Sequence, residues 1–360
     1  MFQGWWPAVA AAALVAGLMP LAIRSQRLGR DDDFKGVQKA HNVSTSRLGG
    51  VIVFVAYLAV LAVATRMGDA ALSPTLPLLL CSLPVVLVGL WEDITQGVHP
   101  WHRLAGAVAS AALASAFAFG TIARLDLPFL DDWLKYLLFA LPLTWFMVAG
   151  ACNAMNLIDG AHGLAGGTAL MMFGGLAGAA AIVDDPEVLA QSLVMMGAIT
   201  GFLVWNYPRG LIFAGDGGAY LWGAVIAVVC VLLVLRHPQV SPWFPMLLLI
   251  YPVWETAFSI YRKIARGQSP GLADALHFHQ LIHRRIVRQV FDDDEVRGML
   301  MRNNRTSPYL WGFAMLTVLP AVLFWNQTPL LMLFVLIFIV SYVWAYTRII
   351  RFKVPRWLRR

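Results

Sequence analysis

Eleven stretches of this chain are predominantly apolar over sixteen residues or more, at about 5–23, 50–65, 74–91, 104–121, 133–150, 163–183, 189–205, 214–235, 241–260, 309–325 and 329–348. A helix that crosses bilayer hydrocarbon needs roughly 20 such residues. Lipid offers no water to the backbone, so each stretch must pair its own N–H and C=O groups, and a helix does that within one segment. Gly and Pro interrupt several stretches, which membrane helices tolerate when neighbours satisfy the freed groups. Of 360 residues 59% are apolar and only 13% charged, whereas soluble domains carry about 25% charge. The expectation is an all-α polytopic membrane bundle of about eleven spans, forming one integral membrane domain over 1–360 rather than the two or three soluble domains that length alone would allow. The first stretch lacks a basic start and its cations follow it, so it reads as a retained helix and not a cleaved signal. No internal repeat of 20–50 residues stands out.

Twenty-three of the 27 Lys and Arg residues fall in one set of loops and the C-terminal tail, against Arg66, Arg124, Lys135 and Arg236 in the other set. The positive-inside rule places the richer set in the cytoplasm, the N-terminus outside and the C-terminus inside. Basic loops beside anionic lipid head groups account for the net charge of +7, so no nucleic acid is implied. Cys81, Cys152 and Cys230 lie in or beside apolar runs, and their odd number and spacing fit neither a disulfide framework nor a metal cluster.

The polar motifs share that cytoplasmic side. They run from Lys39-Ala-His41 through Ser46-Arg47-Leu48-Gly49-Gly50 to Glu92-Asp93, then Asn153-Ala-Met-Asn156-Leu-Ile-Asp159-Gly160. Asn206, Phe213-Ala-Gly215-Asp216-Gly217-Gly218, His277-Phe-His279 and His283-Arg284-Arg285 follow. Acids near a bilayer are expensive and face a partner, a cavity or an ion. Carboxylates, amides, histidines and arginines gathered at one membrane face suit a polyanion. The acids would hold Mg²⁺ against phosphates, and Arg and His would complete the charge balance. Loops 24–49, 91–103, 151–162, 206–214 and 261–308 would form this active site.

With these motifs in order, the chain resembles the polyprenyl-phosphate N-acetylhexosamine-1-phosphate transferases over about Lys39 to Arg285. The resemblance implies transfer of a sugar-1-phosphate from a UDP-sugar to a membrane polyprenyl (undecaprenyl) phosphate, with release of UMP. It also implies Mg²⁺, with Mn²⁺ as a substitute, and a multi-pass protein of the bacterial cytoplasmic membrane that initiates a lipid-linked surface glycan. A homodimer is compatible with it.

Residue by residue, the resemblance gives Asp93 a role in positioning or deprotonating the lipid phosphate and places Glu92 near the metal. Asp216 matches the family's metal-binding aspartate, with glycines that would let backbone approach the pyrophosphate. Asn153, Asn156 and Asp159 go to nucleotide binding, and Asn206 and Phe213 to the uracil. His277, His279, His283, Arg284 and Arg285 form a pyrophosphate clamp. Arg103 stands in for a family cation, and Lys39, His41 and Arg47 could also meet phosphate. The sequence departs from the family pattern at Glu92, Gln96, His162 and Gln280, and His162 is not assigned a catalytic role. The departures at His162 and in the histidine loop point towards a UDP-N-acetylhexosamine donor such as UDP-GlcNAc rather than a muramyl-peptide. Three other readings stay open: a secondary transporter, a non-catalytic membrane scaffold, and a degenerate member that binds polyprenyl phosphate without turnover. A transporter would carry its charges near helix centres and show two related halves.

Overall fold

A computed structural model describes residues 6–23, 30–31, 45–269, 276–284 and 295–351. Lys39, His41 and Arg285 of the anticipated site lie outside the described residues. In chain order the helices are α1 (Trp6–Ile23), α2 (Gly49–Met67), α3 (Thr75–Thr95), α4 (Pro100–Ala114), α5 (Pro128–Leu134), α6 (Leu137–Leu157) and α7 (Leu164–Ile182). They continue as α8 (Pro186–Asn206), α9 (Gly215–Arg236), α10 (Trp243–Ala265), α11 (Phe278–Ile282), α12 (Glu295–Leu323) and α13 (Thr328–Ile350). Two-residue strands β1 (Arg30–Asp31) and β2 (Thr45–Ser46) pair antiparallel ahead of α2.

Every apolar stretch of the sequence lies on a helix. Eight helices among the described residues are long and apolar enough to cross a membrane, and α1 and α2 add the shorter apolar helices Trp6–Leu21 and Gly49–Ala64. The protein is therefore a polytopic helical membrane bundle. The expected count of eleven holds only in part, because the stretch 104–121 does not form a long helix. There α4 begins at Pro100, runs for 15 residues and gives way to a π turn, Ser115–Phe119, that stops at Gly120 with φ 84°. Fifteen residues rise only about 22 Å, short of the roughly 30 Å of hydrocarbon.

Apart from the short α5 and α11, successive helices alternate in direction, so one end of the bundle collects the ends of α1, α3, α6, α8, α10 and α13 and the starts of α2, α4, α7 and α9. At the opposite end Arg124 donates to the carbonyls of Pro238 and Val240 and pairs with Asp126, whose carboxylate accepts from Thr328. Asp185 there caps α8 and faces His237 at 2.9 Å.

The centre is α9. Every residue from Gly217 to Cys230 is buried, as an all-apolar helix requires. Its first turn meets α2 and α3 at backbone distance: a Cβ on Gly50 would lie 2.2 Å from the Gly218 nitrogen, and one on Gly89 would lie 2.4 Å from the Gly217 Cα. The glycines of the Gly215–Gly218 element thus serve helix–helix approach, and not only the approach of a ligand to backbone. A similar economy holds around Pro84, which interrupts α3. The next amide, that of Val85, donates to Ser110 Oγ on α4 at 3.2 Å, so a neighbouring helix supplies an acceptor at the proline break.

Candidate active site

The end of the bundle that collects the polar motifs is organised by the start of α9. Its first-turn amides would be unpaired in an isolated helix. Asp93, from the last turn of α3, takes two of them: one carboxylate oxygen accepts the N–H of Asp216 at 2.8 Å and the other that of Gly217 at 3.0 Å. Asp93 is 2% exposed. A carboxylate there also complements the positive end of the helix dipole. Gly215 enters the helix at φ 69°, and a Cβ on it would collide with the Arg47 carbonyl and the Asp93 carboxylate. Ahead of it, Gly49 and Gly50 at the start of α2 donate to the carbonyls of Phe213 and Ala214, at 3.0 and 2.8 Å. The Phe213 amide in turn donates to Ser46.

Asp216 is held so that its side chain faces three other elements. Arg103 Nη1 on α4 reaches one of its oxygens at 3.0 Å, and Asn156 Nδ2 on α6 donates to the other at 3.0 Å. The same Arg103 nitrogen lies 3.9 Å from Glu92, whose second oxygen accepts the Val98 N–H at 2.7 Å. Glu92, Asp93, Arg103, Asn156 and Asp216 are thereby brought together from α3, α4, α6 and α9.

The remaining anticipated residues flank this cluster in two groups. Asn153 donates to the Ala149 carbonyl of its own helix. Asp159, just past α6, is half-buried, and its carboxyl is raised to about 7, first by burial and then by the charge of Asp216, with Arg47 acting against both. Asn206 is buried and its side chain is occupied by backbone: Oδ1 accepts from Gly163 at 2.6 Å and Nδ2 donates to the Ile212 carbonyl at 2.7 Å. Phe213 is half-buried and lies against the buried ring of His162, centroids 5.6 Å apart. His162 packs on Gly210, where a Cβ would fall 2.3 Å from the imidazole. In this fold His162 backs the aromatic wall of the site.

The histidine motif turns inward at His277 and His279. His277 and His279 are buried and stacked, centroids 5.6 Å apart with rings 4° from parallel. Burial, with His277 alongside, lowers His279 to about 3, so its imidazole is neutral at any ordinary pH. Its ring sits on Gly160, where a Cβ would approach Nε2 to 2.2 Å. His283 Nδ1 lies 3.3 Å from Thr306 Oγ1, and Arg284 is exposed. Behind the motif stands a residue that the sequence did not single out. Glu255 on α10, wholly buried, accepts the Phe278 N–H at 2.9 Å and the Tyr342 hydroxyl at 2.6 Å. The available signal was an acid inside an apolar stretch, which demands a partner.

Among the described residues no three His, Cys, Asp or Glu side chains form a ready metal cage. Mg²⁺ does not need one, because it commonly takes one or two carboxylates and completes its shell with water and substrate phosphate. Asp216 and Glu92, partly exposed and neighbours of one guanidinium, have the donor chemistry for that arrangement.

Residues 75–234 match the model of the family described as Glycosyl transferase family 4. The chain is 28% identical over 251 residues to a probable undecaprenyl-phosphate N-acetylglucosaminyl 1-phosphate transferase of Bacillus subtilis, covering 67% of this chain and 66% of that protein. It is 31% identical over 294 residues to the phospho-N-acetylmuramoyl-pentapeptide-transferase of Lacticaseibacillus paracasei, covering 76% of this chain and 88% of the relative. An undecaprenyl-phosphate alpha-N-acetylglucosaminyl 1-phosphate transferase of Thermotoga maritima is 26% identical, with 78% of this chain and 81% of that protein covered. The matched stretch includes both Asp93 and Asp216 and the helices that bring them together, and the chain belongs to glycosyl transferase family 4, among the polyprenyl-phosphate sugar-1-phosphate transferases.

Proposed function

We propose that this protein transfers N-acetylhexosamine-1-phosphate from a UDP-sugar to undecaprenyl phosphate at the cytoplasmic face of a bacterial inner membrane. The observation that carries this reading is the convergence of Asp216, Glu92 and Arg103, set at the start of α9 by Asp93. In the reaction an oxygen of the lipid phosphate attacks the β-phosphorus of the UDP-sugar. The bond from that phosphorus to the bridging oxygen breaks, UMP departs with the electron pair, and a lipid-linked pyrophosphate remains.

Mg²⁺, held by Asp216 with Glu92, would neutralise phosphate charge as it builds on the departing side. The chain's own residues do the positioning. Arg103, half-buried beside both acids, supplies a fixed cation for the incoming lipid phosphate, where preorganised charge is worth most. Asn156 orients Asp216, and Asp93 holds the α9 terminus that carries it, so Asp93 acts as a positioning residue. Phe213, backed by His162, offers a flat apolar surface to the uracil. Arg47, whose charge acts on Asp93 and Asp159, would serve as a further phosphate cation.

The test is UMP release by purified protein in detergent, with undecaprenyl phosphate, a panel of UDP-sugars, and Mg²⁺ present or chelated. Metal-dependent release with one UDP-N-acetylhexosamine, lost in Asp216→Asn, is the expected result. Silence across the panel from folded protein would overturn the reading and favour a member that binds lipid without turnover.

A further inference from the structure

We propose that Glu255 is a positioning residue for nucleotide-sugar binding, acting through His277 and His279 on the 158–163 loop. The inference rests on the transferase reading above and concerns a residue that makes no contact with the Asp216 cluster.

Glu255 lies just past the middle of α10, in the bundle interior, at 0% exposure. A buried acid is costly unless every oxygen is satisfied, and this one is. Oε1 accepts the Phe278 amide and lies 3.4 Å from His277 Nδ1, while Oε2 accepts the Tyr342 hydroxyl from α13. One further contact holds the same segment, and another ties α10 to α13 beside it. Tyr346, one turn beyond Tyr342, donates to the Leu276 carbonyl at 3.1 Å. Arg262, two turns beyond Glu255, lies against the rings of Phe258 and Tyr346, at 5.1 and 4.7 Å from their centroids. The start of α11 is thus fixed to α10 and α13 through its backbone and through His277.

What α11 carries is His279, stacked on His277 and pressed on Gly160. Gly160 follows Asp159 and closes the turn after α6, and that turn leads to His162 behind Phe213. A continuous path of contacts therefore runs from Glu255 to the nucleotide side of the site, while the metal and lipid side rests on α3, α4 and α9. Loss of Glu255 should loosen the first and spare the second.

The experiment compares wild type with Glu255→Ala, Glu255→Gln and Tyr342→Phe, as full-length protein in detergent. Two readouts are taken: KM for UDP-sugar and for undecaprenyl phosphate, and amide hydrogen exchange over residues 158–163 and 276–284. Expected for Glu255→Ala is a KM for UDP-sugar raised by about tenfold with the lipid KM within about twofold, and faster exchange in both segments. The Gln side chain keeps an oxygen for the Phe278 amide, so Glu255→Gln should recover to within about threefold of wild type. A parallel rise in both KM values, no rescue by Gln, or unchanged exchange over 158–163 would overturn the proposal. Should Glu255→Ala fail to fold, Tyr342→Phe carries the same comparison, and equal exchange in that variant and wild type would count against it. Wild-type protein that releases no UMP would defeat the transferase reading, and the exchange comparison would then decide the role of Glu255 alone.

Discussion

The two aspartates that define the site differ in what they touch: Asp93 spends both carboxylate oxygens on the backbone N–H groups of Asp216 and Gly217, while Asp216 turns its own side chain to Arg103 and Asn156. One acid thus fixes the backbone of the other. Asp93→Asn replaces one acceptor with an NH₂ group that faces a donor and removes a charge from the helix terminus. Hydrogen bonds to a buried charged group are worth about 1.5–3 kcal/mol. The expected outcome is a lower thermal midpoint in detergent together with a loss of UMP release of about a hundredfold or more, since Asp216 shifts with its helix. Normal stability with lost activity would instead mark Asp93 as a group that meets substrate.

Arg103 neighbours both Asp216 and Glu92, so its removal leaves two partly buried acids to face each other. Arg103→Ala should raise KM for undecaprenyl phosphate more than KM for the UDP-sugar. Arg103→Lys, with the charge but not the fork, should recover only part of the loss. Steady-state kinetics with each substrate varied in turn checks this. Equal effects on both KM values would remove Arg103 from the acceptor side.

The membrane architecture was legible because lipid leaves a chain few choices: apolar length placed a stretch on each of the long apolar helices, though not the short α5 and α11 or the polar first half of α12. Where α4 fell short, the cause was local, a proline that started the helix early and a glycine at positive φ that ended the turn after it. The Asp216 cluster was legible as a set of residue types at helix ends. Its division of contacts was not, because a carboxylate that caps a helix and one that faces other side chains look alike in sequence, and only the paths of α3 and α9 separate Asp93 from Asp216. His277 and His279 had the same ambiguity. A His-x-His motif in a basic loop suggests cations, but Glu255, about 20 residues upstream on α10, draws the motif inward, where burial lowers His279 to about 3.

Asn206 offers a clean separation of structure from binding. Its amide joins the Gly163 N–H to the Ile212 carbonyl and so ties the end of α8 to the loops on either side of Phe213. Asn206→Ala leaves a buried donor and a buried acceptor without partners, at a cost of about 1–3 kcal/mol each. The thermal midpoint should fall clearly, and Asn206→Asp, which keeps the acceptor but not the donor, should fall between Ala and wild type. A variant of unchanged stability that binds UDP more weakly would return Asn206 to direct contact with uracil.

Asp159 supplies a pH dependence whose sign can be worked out. Its carboxyl titrates near 7 in the folded protein, against about 3.9 in an unfolded chain. Between those values the folded state holds a proton that the unfolded state has lost, so this group's contribution to stability is fully present below pH 4 and disappears as pH rises through 7. Asp159 is half-buried, and solvent screening keeps the effect to about 1 kcal/mol or less. Thermal midpoints measured in detergent from pH 5 to 8 should therefore decline slightly more steeply for wild type than for Asp159→Asn, which cannot ionise. Asp216→Asn removes the like charge that helps to raise Asp159, so it should narrow the window from its upper end. Arg47→Gln removes an opposing cation and should extend the window upward. Identical slopes in wild type and Asp159→Asn would show that the carboxyl is ionised throughout this range, and that the charges of Asp216 and Arg47 do not govern its proton.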